Sequence, residues 1–142
     1  MSTQVTTVIT IVAVGLGIGY LMWTESAVFG SWTPARAIGL ALAAVAFVFW
    51  TVARLQLGKS FSIQAKATEL VTHGIYSKIR NPVYVFGTLF MAGIILWIGR
   101  PVLLLVLLVA IPVQVMRAKK EARVLEAKFG DAYRQYRAKT WF

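Results

Sequence analysis

The segment from Thr68 to Tyr84 concentrates the polar side chains that could take part in chemistry. It contains His73, which is the one histidine of the chain, and two tyrosines, Tyr76 and Tyr84. A histidine can exchange a proton near neutral pH, and the face of a tyrosine ring attracts a cation. His73 is therefore either a general base or a solvated histidine at a membrane interface, and Tyr76 and Tyr84 are either ligand contacts or anchors at that interface.

A second pair of candidate residues lies nearer the carboxyl end. Arg117 and Glu121 are four residues apart, so in a helix they share one face. A carboxylate can pair with an ammonium group, and a guanidinium can hold an anion through two parallel hydrogen bonds. The alternative is an ordinary intrahelical ion pair, which would contribute about 0.2–0.5 kcal/mol.

Metal and thiol chemistry are not indicated by the composition. The 142 residues include no cysteine and one histidine. A zinc site of the usual Cys/His type, a disulfide and a cysteine nucleophile are therefore not expected.

The backbone around the first group is predicted to turn and then to enter a helix. Gly74 permits a sharp turn. Asn81 precedes a proline, and this disfavours a helical conformation for Asn81. Pro82 is suited to the first position of a helix, so Tyr84 would lie in the first turn of that helix.

Together the two groups resemble the isoprenylcysteine carboxyl methyltransferase and phospholipid methyltransferase superfamily. Residues 70–76 read Leu-Val-Thr-His-Gly-Ile-Tyr, and residues 80–84 read Arg-Asn-Pro-Val-Tyr. The family pattern there is Gly-x-Tyr, three residues, then Arg-His/Asn-Pro-x-Tyr. Its second half, Glu-Glu-x-x-Leu-x-x-x-Phe-Gly-x-x-Tyr-x-x-Tyr, is matched at Glu121, Leu125, Phe129, Gly130, Tyr133 and Tyr136.

The resemblance implies a membrane methyltransferase that uses S-adenosylmethionine, releases S-adenosylhomocysteine and acts on a lipid or lipid-attached acceptor. Arg117 matches the arginine on the substrate side and is the candidate catalytic residue. Glu121 would pair with the amino group of the cofactor, and Tyr76 or Tyr84 would face its sulfonium. The residues implied at the cofactor site are Leu70, Val71, His73, Gly74, Tyr76, Asn81, Pro82, Val83, Tyr84 and Glu121.

Three positions depart from what is usual in the family. Ala122 stands where a second glutamate is usual, Asn81 stands where many members have a histidine, and Thr68 stands where eukaryotic isoprenylcysteine methyltransferases tend to have a histidine. These departures favour a bacterial-type relative over an enzyme that acts on prenylcysteine. They also leave open a non-catalytic membrane scaffold or a degenerate relative with the same fold. A membrane reductase is a further alternative, because some steroid-type reductases share a similar carboxyl-terminal pattern.

The elements that position these residues are predicted to be apolar helices. The chain is 58% hydrophobic and 14% charged, against about 45–50% and about 25% in soluble domains. We therefore predict an all-α integral membrane protein with about four transmembrane helices and a C-terminal amphipathic cytoplasmic helical segment. The first apolar stretch lacks the features of a secretory signal and is expected to be retained. The four stretches are Val5–Trp23, Ala37–Ala53, Val83–Ile98 and Val102–Met116.

The distribution of basic residues predicts the orientation. All lysines and arginines except Arg36 and Arg100 fall within residues 54–82 and 117–142. Four spans would place these two segments on one side of the membrane, and cytoplasmic loops collect basic residues. We therefore predict an inner-membrane protein with both termini in the cytoplasm. The net charge of +10 then reflects topology and contact with membrane lipids, and nucleic acid is not an expected partner.

The predicted organisation is a single domain, residues 1–142, in which residues 1–58 form a helical pair and residues 59–142 carry the motifs. Gly130 is suited to end a helix after Phe129, and Asp131 is expected to cap the start of a short last helix. Pro112 lies inside the fourth apolar stretch, where it would either kink the helix or be tolerated by neighbouring helices.

Overall fold

The computed structural model describes residues 12–13, 15–17, 19–20, 32–58 and 70–142, and every regular element in these ranges is a helix. This confirms the all-α class. The first predicted span, Val5–Trp23, lies largely outside the described residues, although residues 12–13, 15–17 and 19–20 are helical. The main helices are α1 (Pro34–Leu57), α2 (Pro82–Ile98), α3 (Leu105–Phe129) and α4 (Asp131–Lys139), with 3₁₀ turns at Gly74–Ser77 and Pro101–Leu104.

Two helical stretches, Pro34–Leu57 and Val102–Phe129, are long and apolar enough to cross a bilayer. Only 22% and 6% of their most apolar windows are buried within the protein, whereas the core helix of a soluble protein would be mostly covered. The third, α2, is apolar and has 17 residues, which is close to the shortest length that spans a bilayer. Length and composition thus support two of the predicted spans. The four-span arrangement and the cytoplasmic placement of the carboxyl-terminal segment stay predictions.

Helices α1 and α2 approach each other closely because glycines lie where they cross. A Cβ atom added to Gly39 would lie 2.5 Å from the Trp97 backbone nitrogen, and one added to Gly93 would lie 2.6 Å from that of Ala43. Small residues allow backbones in a membrane to come this near. Aromatic pairs continue the contact, with ring centroids 5.7 Å apart in Phe47–Phe90 and 5.0 Å apart in Phe49–Phe86.

A buried arginine joins the start of α1 to the end of α2. Arg36 is 4% exposed, and its Nε donates to the Trp97 carbonyl oxygen at 2.9 Å. The last carbonyls of a helix lack partners within that helix and carry partial negative charge. Arg36 therefore satisfies and neutralises the carboxyl end of α2 and makes the two helices antiparallel neighbours.

The connection from α2 to α3 is a tight turn, as the sequence predicts. Gly99 ends α2 with a φ of 75°, in the left-handed region that favours glycine. Helix α3 then continues through Pro112 to Phe129 without interruption. Its apolar side chains face outward over much of its length, including Leu105, Leu108, Val109 and Met116.

The junction between α3 and α4 confirms one expectation and corrects another. Gly130 has a φ of 51° and its N–H donates to the Glu126 carbonyl oxygen, so it ends α3 as predicted. Asp131 does not cap α4, because Gly130 occupies the cap position and Asp131 is the first helical residue. The Asp131 carboxylate instead accepts from Arg134 at 2.9 Å, and Arg134 also donates to Glu126 at 3.0 Å.

Candidate active site

The segment before α2 is attached to the end of α1. Its 3₁₀ turn begins at Gly74, whose φ is 60°. The Ile75 N–H donates to Gln56 Oε1 at 2.9 Å, and a Cβ atom on Gly74 would collide with the Gln56 amide. The positive φ favours glycine here, and any larger residue would also displace the Gln56 amide that bonds to Ile75. Gln56 was not among the predicted site residues. In the sequence it stands out only as a polar residue at the end of an apolar run.

Helix α4 closes over this turn from the other side. The Tyr136 hydroxyl donates to the Tyr76 carbonyl oxygen at 2.8 Å, and the bond is buried. Tyr76 itself is 5% exposed. Burial raises the pKa of Tyr76, and the nearby Tyr136 adds to the increase. The motif tyrosine of α4 thus positions the backbone of the turn that carries the motif tyrosine Tyr76.

The backbone just before α2, residues 78–81, is paired with the backbone of Trp141 and Phe142. The Trp141 N–H donates to the Lys78 carbonyl oxygen at 3.0 Å, and the Arg80 and Asn81 N–H groups each donate to the Phe142 carbonyl oxygen at 3.0 Å. Ile79 and Trp141 form an isolated parallel bridge. This pairing was not predicted, because two short stretches more than 60 residues apart carry no pattern that relates them.

Helix α2 begins as the sequence predicts, with Pro82 as its first residue. Asn81 lies outside the helix, with φ −122° and ψ 54°. Its carbonyl oxygen accepts from the Tyr84 and Val85 N–H groups, both at 3.1 Å. The backbone of Asn81 is therefore fully bonded, and its side chain, which does not cap the helix, is the part left to contact a ligand.

The central contact joins α2 to α3. The Tyr84 hydroxyl donates to Glu121 Oε1 at 2.5 Å. In the part of the chain that the structure describes, no Lys, Arg or His nitrogen forms an ion pair with Glu121. The ordinary ion pair between Arg117 and Glu121 is therefore not formed. A half-buried carboxylate that has a neutral donor and no cation is suited to an external cation.

The remaining candidate residues differ in how closely they are linked to the Tyr84–Glu121 contact. Arg117 is exposed on α3 and lies near enough to Tyr84 to act on its hydroxyl electrostatically. Tyr76 likewise interacts with both Tyr84 and Glu121, so the structure brings the two motif halves together. His73 is exposed, and its side chain forms no hydrogen bond with residues 32–58 or 70–142. The other predicted residues belong to the same segment, residues 70–83. Pro82 is buried, Gly74 is exposed, and Leu70, Val71 and Val83 are half-buried.

A second polar contact between α2 and α3 lies further from the motif end. The Thr88 hydroxyl is 2.8 Å from Gln114 Oε1 and 2.9 Å from the Tyr84 carbonyl oxygen. Neither Thr88 nor Gln114 was among the predicted residues. The signal that could have found Gln114 is its position as the only amide in the apolar stretch Val102–Met116, because polar groups inside a membrane helix commonly serve function.

Replacing Tyr136 with Phe is expected to change how stability depends on alkaline pH. Burial raises the pKa of Tyr136 to about 12, against about 10 in an unfolded chain. Between these values the unfolded state loses a proton that the folded state keeps, so stability falls as pH rises. At pH 8 the variant should be less stable than the wild type by about 0.5–1.5 kcal/mol, because it lacks the hydrogen bond. Above pH 10 this difference in stability should become smaller, because only the wild type loses stability through the titration of Tyr136. Thermal unfolding in detergent from pH 8 to pH 11 measures both effects, and a gap that is constant over this range would contradict the buried position of Tyr136.

Comparison with known proteins agrees with this geometry. A search of curated proteins found no match. A scan of protein families matches residues 32–132 to the family described as phospholipid methyltransferase. The matched region includes α1, α2, α3 and the segment that holds Tyr76, Tyr84, Arg117 and Glu121. The chain therefore belongs to the phospholipid methyltransferase family, which is part of the isoprenylcysteine carboxyl methyltransferase superfamily and comprises membrane methyltransferases that act on lipid-type substrates.

Proposed function

We propose that this site binds S-adenosylmethionine and directs methyl transfer to a lipid or lipid-attached acceptor at the cytoplasmic face of the membrane. The observation that carries the proposal is the environment of Glu121. Its carboxylate accepts from Tyr84 and has no cationic partner in the described part of the chain. It also lies beside the turn that holds Tyr76. Methyltransferases of this family generally use S-adenosylmethionine, whose amino group and sulfonium are both cationic.

The side chains present fit such a cofactor. Glu121 offers a carboxylate to the amino group, and a charge-assisted hydrogen bond of this kind is about twice as strong as a neutral one. Tyr84 holds that carboxylate in place from α2. The ring of Tyr76 or Tyr84 offers a face to a sulfonium. The Asn81 side chain, whose backbone is already bonded, is available for hydrogen bonds to the ribose or the adenine.

When bound, S-adenosylmethionine would supply a methyl group activated by its sulfonium. The contribution of the protein is then mainly alignment, since an in-line displacement gains much of its rate from positioning. Gln56, Tyr136 and residues 141–142 hold the segment 74–81 from three directions. Arg117, exposed beside Tyr84, can hold an anionic group of the acceptor next to the cofactor.

The cytoplasmic placement is supported by the antiparallel packing of α1 and α2. The Arg36–Trp97 contact lies at one end of the pair, and the Gln56–Ile75 contact lies at the other. The described parts of the two basic segments, residues 54–58, 70–82 and 117–142, therefore lie at the motif end, which the preference of basic residues for the cytoplasm would orient inward. A water-soluble cofactor could reach the site from that side.

Isothermal titration of the detergent-purified full chain with S-adenosylhomocysteine tests the proposal. We expect saturable binding to a folded, monodisperse sample. An absence of binding in such a sample would contradict the proposal and would favour a non-catalytic relative of the family. Saturable binding of a nicotinamide cofactor in its place would favour a reductase.

Arg117→Gln is expected to impair use of the acceptor while sparing the cofactor. The exposed guanidinium has no ion pair with the described residues, so its removal leaves no buried charge behind. Loss of a charged hydrogen bond costs about 1.5–3 kcal/mol, which corresponds to a fall in kcat/KM for the acceptor of about 10- to 150-fold. Titration with S-adenosylhomocysteine should give nearly the wild-type Kd. Equal losses in both measurements would show that Arg117 acts on the cofactor instead.

A further inference from the structure

The Thr88–Gln114 pair is a polar contact inside the apolar part of the protein. Gln114 lies on α3 between apolar neighbours, and the residues on either side, Val113 and Val115, carry no polar side-chain atoms. Both Thr88 and Gln114 are half-buried. An amide at this depth is costly unless its hydrogen-bonding groups are used, because lipid chains offer no partners. Each polar atom of the pair is therefore expected to have a hydrogen-bond partner.

One hydrogen-bond donor of Gln114 is left unused. The Thr88 hydroxyl has one proton and lies near two acceptors, the Tyr84 carbonyl oxygen and Gln114 Oε1. Nε2 of Gln114 has no hydrogen-bond partner among the described residues. Turning the amide over would let Thr88 accept one of its two hydrogens, and the other would still be unbonded. In either orientation Gln114 presents at least one N–H to the space beside the α2–α3 contact.

The position of this donor relates it to the proposed methyl-transfer site. Thr88 lies one helical turn beyond Tyr84 on α2, and Gln114 lies seven residues before Glu121 on α3. At about 1.5 Å per residue, Gln114 is about 10 Å deeper than Glu121 and about 4.5 Å deeper than Arg117. The outward-facing side chains beside it, Val113 and Met116, are 50% and 70% exposed. In the part of the chain that the structure describes, this side of α3 is therefore open enough for a lipid to lie beside Gln114.

We propose that Gln114, oriented by Thr88, binds an ester carbonyl oxygen of the glycerolipid acceptor. The carbonyl would accept the unused Nε2–H, and the head of the same lipid would reach Arg117 and then the level of Glu121 and Tyr84. This inference rests on the proposed function, because it assigns to that reaction a second contact with its acceptor. It makes Gln114 a residue that sets acceptor specificity by recognising the acyl linkage and not the head.

A purely structural role for the pair makes a different prediction. Hydrogen bonds between membrane helices are worth about 0.6 kcal/mol on average, so Gln114 could serve only to join α2 to α3. In that case the protein would not distinguish lipids by the chemistry of their chain linkage. A preference for ester-linked over ether-linked lipids is therefore a readout that a structural role would not produce.

The experiment compares two glycerophospholipids with the same head and chains, one with ester linkages and one with ether linkages. Each is added to the detergent-purified full chain, and bound lipid is measured by native mass spectrometry. Loss of one hydrogen bond is worth about 0.5–1.5 kcal/mol, so the wild type should bind the ester form about 2- to 12-fold more tightly. Gln114→Met, which keeps the length of the side chain, should bind both forms equally, and Thr88→Val should reduce the preference. Met116→Leu, which changes an exposed neighbour on the same helix, should keep it.

An equal affinity of the wild type for the two lipids would overturn the inference, and so would a preference that survives in Gln114→Met. Titration of the same samples with S-adenosylhomocysteine separates this result from the fate of the proposed function. Cofactor binding without an ester preference would reject only the role of Gln114 and would leave the methyl-transfer proposal standing. An ester preference without cofactor binding would reject the methyl-transfer proposal, and with it the role of Gln114 in acceptor choice.

Discussion

Replacing Glu121 with Gln is expected to weaken S-adenosylhomocysteine binding about 10- to 150-fold in the detergent-purified chain. The substitution keeps the shape of the side chain and the acceptor for Tyr84, whose hydroxyl donates to Oε1. It removes the negative charge that would pair with the amino group of the ligand. A hydrogen bond to a charged group contributes about 1.5–3 kcal/mol, and each 1.4 kcal/mol is a factor of ten in Kd. Isothermal titration gives the change directly.

The matched control is Glu126→Gln, one and a half turns further along α3. Glu126 pairs with Arg134, and its side chain is 37% exposed, so this change loses the same charge at a site remote from Tyr84. Its affinity for S-adenosylhomocysteine should equal that of the wild type. If both variants weakened binding equally, the cause would be the change in overall charge of residues 117–142. The assignment of Glu121 to the cofactor would then be wrong.

Gly93→Ala is expected to destabilise the protein by about 1–3 kcal/mol, the usual cost of overfilling a packed contact. The new Cβ atom would lie 2.6 Å from the Ala43 nitrogen and 2.7 Å from the Gly39 carbonyl oxygen. Both are backbone atoms of α1, which cannot rotate aside as a side chain would. The helices must separate, and this also loosens the Arg36–Trp97 contact beside them. Thermal unfolding in a fixed detergent should show the lower stability as a lower Tm.

Gly87→Ala makes the same chemical change on the same helix and serves as the control. A Cβ atom there would lie 3.7 Å from the Trp50 ring, which is an ordinary van der Waals distance. Because alanine is favoured over glycine within a helix by about 0.5–1 kcal/mol, this variant should be as stable as the wild type or slightly more stable. If Gly93→Ala proved as mild as Gly87→Ala, the close crossing of α1 and α2 would be wrong.

Much of the site follows from residue types and short-range rules. Pro82 begins α2 because its fixed φ and missing N–H suit that position, and Gly130 ends α3 because the chain there needs a positive φ. The motif halves that contain Tyr84 and Glu121 meet in space. Their meeting was predicted through the family resemblance, since nothing in the spacing alone relates residues 37 positions apart.

The parts that could not be predicted depend on partners distant in the chain. Gly39 and Gly93 are single glycines in apolar runs, and only the facing helix shows that each lies at a crossing. Asp131 has the residue type of a helix cap, but the neighbouring arginine Arg134 competes for its carboxylate. Gln114 is visible as an exception in an apolar stretch, yet its partner Thr88 is not. In each case the local preference is weak compared with the contact that decides the outcome.

The contacts of the Gly74–Ser77 turn must form in a fixed order while the chain is being synthesised. Its tether to Gln56 is made with a residue 19 positions earlier, whereas Tyr136 follows Tyr76 by 60 residues. At a synthesis rate of about 5–20 residues per second, the turn waits about 3–12 s for the tyrosine that closes over it. Helices α1 and α2 can lock together within that interval. The nascent chain therefore passes through a stage in which α1 and α2 are packed together while the turn that carries Tyr76 still lacks its contact with Tyr136.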